Sequence, residues 1–125
     1  MSFSFPKVLF TASLLVMSSI AQAAQPFSAD GFQAAQRANK SILVDVTAPW
    51  CPTCKAQRPV IAALEKSNPQ LVVMEIDFDT SKDLLKKFGV QMQSTLIVYK
   101  GEKEVGRSTG VSDATALSGL VKKAL

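Results

Sequence analysis

The feature that most constrains the fold is a nearly continuous apolar run at residues 42–46, in which Asp45 is the one polar residue. A run of this length, rich in β-branched residues, is typical of a strand buried on both faces. Similar runs occupy residues 71–76 and residues 95–99. Because a sheet buried on both faces needs a covering layer on each side, these runs predict a central sheet between helices.

Helical patterns alternate with these strands. The predicted helices are residues 30–39, 52–67, 80–88 and a last segment that begins after Ser112-Asp113 and carries Leu117, Leu120, Val121 and Ala124 on one face. Asp30 is the expected N-cap of the first helix, with Gln33 reaching back, and Gly89 is the expected C-cap of the third. Residues 100–103 are expected to turn into a short polar edge strand at 104–108. This order predicts an α/β domain.

Residues 1–23 differ in composition from the rest of the chain. Lys7 is their one charge, a mostly apolar stretch follows, and Ala21-Gln22-Ala23 ends the segment. This order is typical of a secretory signal peptide. Ser and Thr residues interrupt the apolar stretch, which falls short of the ~20 residues that a membrane-spanning helix needs. We therefore predict cleavage near Ala23, a mature domain at residues 24–125 and a periplasmic location, where disulfides persist. A retained membrane anchor is the alternative.

Composition excludes several classes of function. The chain has no His, which removes Cys–His and Ser–His catalysis and any His-ligated metal site. Its two Cys are too few for a tetrahedral zinc site within one chain, so no metal is expected. The net charge of +4 comes without a long basic block, and nucleic-acid binding is not expected.

The chemical centre is the segment Trp50-Cys51-Pro52-Thr53-Cys54, which lies where a buried strand ends and a helix begins. Two Cys three residues apart in a first helical turn have Cα atoms ~5–6 Å apart, within the range of a disulfide. The pair is therefore expected to interconvert between dithiol and disulfide with little movement of the backbone. A disulfide that only stabilises the fold is the alternative, although so small a ring removes only about 2 kcal/mol of unfolded-chain entropy.

The position of Cys51 at the helix N-terminus predicts its role. Free N–H groups and the helix dipole favour an anion there, which is expected to lower the pKa of the thiol below the ~8.5 of free cysteine. We predict that Cys51 is the nucleophile and that Cys54, one turn deeper, resolves the mixed disulfide. Pro52 has no N–H and suits the first helical turn.

Asp45 is the second anomaly of the sequence. Strand alternation places it on the same face as Leu43 and Thr47, inside an apolar run, where desolvation is expected to raise the pKa of its carboxyl group. From six residues before Cys51, it is a candidate proton acceptor for Cys54, directly or through water. A hydrogen-bonded core aspartate is the alternative. Trp50, beside the thiol, is either part of a docking surface or a packing residue.

These residues together resemble the thioredoxin superfamily, over residues 27–125. Residues 42–45 followed by residues 50–55 resemble its central strand and active site, and Asp45 falls on its buried acid. Further matches are Pro59 on the kinking proline of the active-site helix, Phe88-Gly89-Val90 and Thr95-Leu96 on the approach to the fourth strand, and Gly110 before the last helix. The resemblance implies a mixed central sheet flanked by helices on both faces, and thiol–disulfide exchange with protein substrates.

The sequence departs from the family pattern in three places. The first strand is short or missing, and Pro52-Thr53 replaces the Gly-Pro of cytoplasmic thioredoxins between the cysteines. Ser94 stands at the family's cis-proline position, so the Gln93–Ser94 bond is either a strained cis bond or trans. In this family that loop faces the cysteines and pairs with substrate. The resemblance therefore implies substrate contacts at Trp50, Pro52, Thr53, Gln93, Ser94 and Thr95.

We expect a monomeric periplasmic oxidoreductase that needs no cofactor besides the redox-active disulfide Cys51–Cys54. The absence of His near the thiols favours a reductase or electron relay, since an imidazolium would stabilise the thiolate further. By family analogy, a membrane thiol transporter supplies the electrons and oxidised exported proteins receive them. Two alternatives stay open: a dimer that shares a metal or iron–sulfur cluster between two Cys pairs, and a chaperone or assembly factor without redox turnover.

Overall fold

The computed structural model describes Ser2 and residues 24–125. The predicted signal peptide, its cleavage near Ala23 and the alternative of a retained anchor lie outside the described residues. Within residues 24–125, no helix has both the length and the apolar character that crossing a membrane requires.

The described chain forms one five-stranded mixed sheet with four helices. The strands are β1 Gln25–Pro26, β2 Ser41–Thr47, β3 Leu71–Asp77, β4 Thr95–Lys100 and β5 Lys103–Thr109, and the helices are α1 Ala29–Arg37, α2 Pro52–Ser67, α3 Lys82–Phe88 and α4 Ala114–Lys122. The strand order is β1-β3-β2-β4-β5. β1, β3 and β2 run parallel, whereas β4 and β5 are antiparallel to their neighbours. The predicted mixed sheet is confirmed, with a first strand of two residues.

The alternation of side chains along β2 explains why helices cover both faces of the sheet. Val44 and Val46 belong to a core that α1 and α3 complete through Phe32 and Leu85. Leu43, on the opposite face, belongs to a second core that α2 and α4 complete, with side chains that include Ile61, Leu117 and Leu120. Both faces of β2 are therefore buried, as the apolar run predicts.

The helix boundaries agree with the sequence except at two N-caps. Ser28, not Asp30, caps α1, because its Oγ accepts a hydrogen bond from the Gly31 N–H at 3.2 Å. α3 begins after Ser81 rather than at Thr80, because Thr80 belongs to a turn in which its N–H donates to Asp77 Oδ1 at 3.1 Å. The predicted caps elsewhere are confirmed: Gly89 has the left-handed φ of 64°, and Asp113 Oδ2 accepts from the Ala116 N–H at 2.9 Å.

Candidate active site

The two cysteines lie at the start of α2, immediately after the central strand. Cys51 is the N-cap, with extended backbone angles, and its Sγ accepts a hydrogen bond from the Cys54 N–H at 3.1 Å. The two Cα atoms are 5.2 Å apart and the side chains are joined in a disulfide. Each cysteine is only 2% exposed. A sulfur anion at Cys51 would thus receive a backbone N–H and the positive end of the helix dipole.

The local sequence explains this placement. The Cys51 N–H donates to the Ala48 carbonyl at 3.2 Å, which turns the chain out of β2 and into the helix. Pro52 occupies the first turn of α2, where a missing N–H costs nothing. That turn contains no acidic residue to oppose the N-terminal dipole. Pro59 lies inside the helix as predicted and removes the N–H that would bond to the Lys55 carbonyl.

Trp50 is both exposed and anchored. Its side chain is 56% exposed, which makes it one of the most exposed large apolar residues in the described chain. Its indole Nε1 donates to Asp79 Oδ2 at 2.8 Å, and its ring lies edge-to-face against Phe78, with the centroids 6.5 Å apart. Phe78 in turn packs against the cysteines. The sequence alone gives no signal for this contact, because Trp50 and Asp79 are separated by 29 positions.

Asp45 lies in the middle of β2, with Glu75 of β3 and Leu96 of β4 as its register partners. It is 5% exposed, and its Oδ1 is buried with no hydrogen-bond partner among the described residues. It shares the α2 face of the sheet with Leu43, so it lies on the side of the active-site helix. The predicted face is confirmed, whereas a hydrogen-bonded role within the core is not supported at Oδ1.

The environment of Asp45 favours its protonated form. The pKa of the carboxyl group is raised from 3.8 to about 7, mainly by burial and also by the negative charges of Glu75 and Glu65, while the positive charge of Arg58 lowers it. Burial also raises the pKa of Glu65, as does Glu75. Arg58 and Glu75 line one cleft of about 320 Å³ together with Thr47 and Asp77. Asp45 itself does not line this cleft, but its register partner Glu75 does.

The loop before β4 adopts an uncommon backbone conformation. The described chain contains no cis peptide bond, so Gln93–Ser94 is trans. Ser94 has a φ of 59°, in the left-handed region that residues with a Cβ rarely occupy. Its N–H donates to the Val46 carbonyl at 2.8 Å, and its Oγ donates to the Gln93 carbonyl at 2.5 Å. The first of these bonds attaches the loop to the end of the central strand, a few residues before the active-site segment, and the second lies within the loop.

The predicted substrate-contact residues divide into two groups. Trp50 and Pro52 are exposed, and Thr53 and Gln93 are half-buried. Ser94 and Thr95 are 4% and 3% exposed, so their side chains serve the loop itself: Thr95 Oγ1 donates to the Met92 carbonyl at 2.8 Å. Contact with a partner at these two positions would therefore involve the backbone.

Sequence reasoning also missed Gln57. This residue is 1% exposed and its Nε2 donates to the carbonyls of Ser94 and Val111. The signal that would have found it is its spacing: it lies three residues after Cys54, on the buried face of α2, at a position where an amphipathic helix normally carries an apolar residue. Within residues 24–125, no group of three or more His, Cys, Asp or Glu side chains is placed to hold a metal ion.

Two cysteines three residues apart form a disulfide at the start of the helix that follows the central strand. This arrangement defines a class of protein, the thiol–disulfide oxidoreductases of thioredoxin fold. Comparison with known proteins gives the same answer. The family model described as Thioredoxin matches residues 23–123. A thioredoxin of Chlamydia muridarum is 40% identical over 82 residues, which cover 66% of this chain and 80% of that relative. A Thioredoxin H-type of Brassica campestris is 32% identical over 90 residues, covering 72% and 73%.

Solved structures agree. Trxlp from Edwardsiella tarda EIB202 superimposes with a TM-score of 0.75 at 40% identity, over 79% of this chain and 98% of that one. The thioredoxin of Fasciola hepatica superimposes with a TM-score of 0.71 at 27% identity, over 82% and 100%. The chain belongs to the thioredoxin family and is a thiol–disulfide oxidoreductase.

Proposed function

We propose that the chain acts in the periplasm, as a monomer, to reduce disulfides of exported proteins or to relay electrons to them. The observation that carries the chemistry is the Cys51 Sγ at the N-cap of α2, 3.1 Å from the Cys54 N–H. Support for the location comes from the sequence of residues 1–23, which has the order of a signal peptide.

The reaction follows from the two sulfur atoms. The Cys51 thiolate attacks one sulfur of the partner's disulfide, forming a mixed disulfide and releasing the partner's other sulfur as a thiolate. Cys54 then attacks the Cys51 sulfur, which closes the Cys51–Cys54 disulfide and releases the partner with both of its sulfurs reduced. Two electrons pass from the Cys pair to the partner. In this proposal Asp45 accepts the proton of Cys54, directly or through water.

The direction proposed here depends on what surrounds the thiols. The chain has no His, so no imidazolium stabilises the reduced form, and a strongly oxidising potential requires such stabilisation. A reductase needs a source of electrons to reduce its own disulfide after each cycle. A membrane thiol transporter is the proposed source. The exposed Trp50 and Met92 supply apolar area for docking to proteins.

Insulin reduction driven by dithiothreitol tests the chemistry. Cys51→Ser is expected to abolish reduction, whereas Cys54→Ser is expected to accumulate mixed disulfides that can be isolated from non-reducing gels. Ser67→Ala, an exposed change at the far end of α2, is the matched control and should keep full activity. Full activity of Cys51→Ser would refute the assigned roles.

Direction and location need a second experiment. The potential would be measured against glutathione, and the redox state in cells would be trapped with a thiol reagent after separation of the periplasm. A potential near about −270 mV, with the protein found reduced, supports a reductase, whereas one near about −120 mV with the protein oxidised refutes it. An N-terminus near Ala24 in the periplasmic fraction supports export. Iron and colour in an anaerobic dimer would instead indicate a shared cluster.

A further inference from the structure

Gln57 occupies a position that the fold would normally give to an apolar residue. The buried face of α2 consists of Cys54, Gln57 and Ile61, and Gln57 is 1% exposed. A buried primary amide is costly unless its polar atoms are hydrogen-bonded. Its Oε1 has no partner among residues 24–125, so the donors on Nε2 are the atoms that hold the side chain.

Those donors connect three segments of the chain. Nε2 donates to the Val111 carbonyl at 2.7 Å and to the Ser94 carbonyl at 3.3 Å. The Ser94 carbonyl also accepts from the Gly110 N–H at 3.2 Å. The loop before β4 and the loop after β5 are thereby fastened to each other and to the active-site helix, one turn beyond Cys54.

The loop before β4 needs such an attachment. Ser94 has a φ of 59°, which is unfavourable for any residue with a Cβ, and its side chain imposes no restriction on φ as a proline ring would. The loop is held at Ser94 N by Val46 of β2 and at Ser94 O by Gln57 of α2. Val46 and Gln57 lie on either side of the cysteines in sequence, so these bonds hold the Ser94 backbone against the end of β2 and against α2.

We propose that Gln57 is a positioning residue for substrate binding: its amide fixes the trans, left-handed Gln93–Ser94 segment beside the active-site helix, in a chain that lacks a proline there. The inference rests on the proposed function, since it assumes that a protein disulfide is the substrate. Gln57 touches neither sulfur in the contacts described, so its effect is on the binding of extended polypeptide and not on the exchange chemistry.

Gln57→Met tests the proposal, because methionine has a similar length and no N–H donor. We expect KM for reduction of a protein disulfide to rise about tenfold, the effect of two lost hydrogen bonds, with kcat within about twofold of the parent. Reduction of 5,5′-dithiobis(2-nitrobenzoate), a small disulfide without a peptide backbone, should stay unchanged. Ile61→Val is the matched control, since it perturbs the same buried helix face one turn away from the loop.

Gln57→Glu provides a pH readout that a purely structural role would not produce. An ionised carboxylate only accepts hydrogen bonds and so repels the carbonyls of Ser94 and Val111, whereas the protonated acid donates one. The KM of this variant should therefore fall as pH is lowered, relative to the KM of the parent measured at the same pH. Should Gln57→Met fail to fold, this pH-dependent KM carries the test by itself.

The outcomes are separable from those of the proposed function. An unchanged KM in folded Gln57→Met, or an equal loss on protein and small disulfides, would overturn the role of Gln57. A wild-type protein that reduces no protein disulfide would overturn the proposed function, and the comparison of variants would then have no substrate.

Discussion

The buried carboxyl group of Asp45 should make the stability of this protein fall as pH rises through neutrality. Burial raises its pKa in the folded state to about 7, against 3.8 for the ordinary group. The folded state therefore binds more protons than the unfolded state between these values, and the free energy of unfolding decreases with pH across that window. The decrease begins near pH 4 and is complete above pH 7.

The size of the effect follows from the shift. About three pKa units at about 1.36 kcal/mol each correspond to roughly 4 kcal/mol, a large part of the net stability of a small domain. Asp45→Asn removes the titration while nearly preserving shape. We expect the variant to match the parent near pH 4 and to be more stable by about 2–4 kcal/mol at pH 8, the lower bound allowing for the buried amide.

Urea unfolding between pH 4 and pH 9 measures this pH dependence of the free energy of unfolding. The oxidised protein is used because the disulfide keeps the cysteines from titrating. Glu102→Gln, which removes one exposed carboxylate, is the control and should show the pH dependence of the parent. A parent whose free energy of unfolding is flat between pH 5 and pH 8 would refute the reasoning. So would an Asp45→Asn variant that loses stability with pH as steeply as the parent.

Three further predictions concern the loops around the site. Ser94→Pro should lower the free energy of unfolding by at least about 2 kcal/mol in chemical denaturation, because proline requires a φ near −65° and removes the N–H that bonds to Val46; an equally stable variant would contradict the described loop. Asp79→Ala should change the fluorescence of Trp50 and lower the free energy of unfolding by about 1 kcal/mol or less. An unchanged spectrum would mean that the hydrogen bond from the indole to Asp79 does not persist in solution. Gly89→Ala should lower the free energy of unfolding by about 1–2 kcal/mol, because an added Cβ meets open space and the strain comes only from the φ of 64°. Thermal unfolding would detect this loss of stability, and an unchanged stability would exclude a left-handed Gly89.

Much of the fold could be predicted because its signals are local. The apolar run in β2 requires a covering layer on both faces of the sheet. The spacing of Cys51 and Cys54 within one helical turn places their Cα atoms 5.2 Å apart. The one polar residue in that run, Asp45, could be singled out for the same reason. The predicted N-cap of α1, Asp30, is wrong by two positions. Ser28 and Asp30 have the same capping chemistry, and only the backbone angles distinguish which of them is the cap.

The parts that could not be predicted depend on contacts distant in sequence. The spacing of Gln57 on α2 could have indicated its burial, but the carbonyls to which it bonds lie 37 and 54 positions away, so the sequence does not identify its partners. The left-handed backbone of Ser94 is held by hydrogen bonds to Val46, Gly110 and Gln57, which lie in other parts of the chain. Local propensity carries no information about bonds of this kind.

A carboxyl group with a pKa of about 7 has a further consequence for the proposed reaction. Near neutrality some of the molecules would carry the proton on Asp45 and others would not. In the role proposed for it, the same side chain could thus withdraw a proton when the dithiol closes and return one when the disulfide opens. Asp45 would then suit both directions of the exchange, and the direction of electron flow would depend on the reduction potentials of this protein and of the proteins it meets.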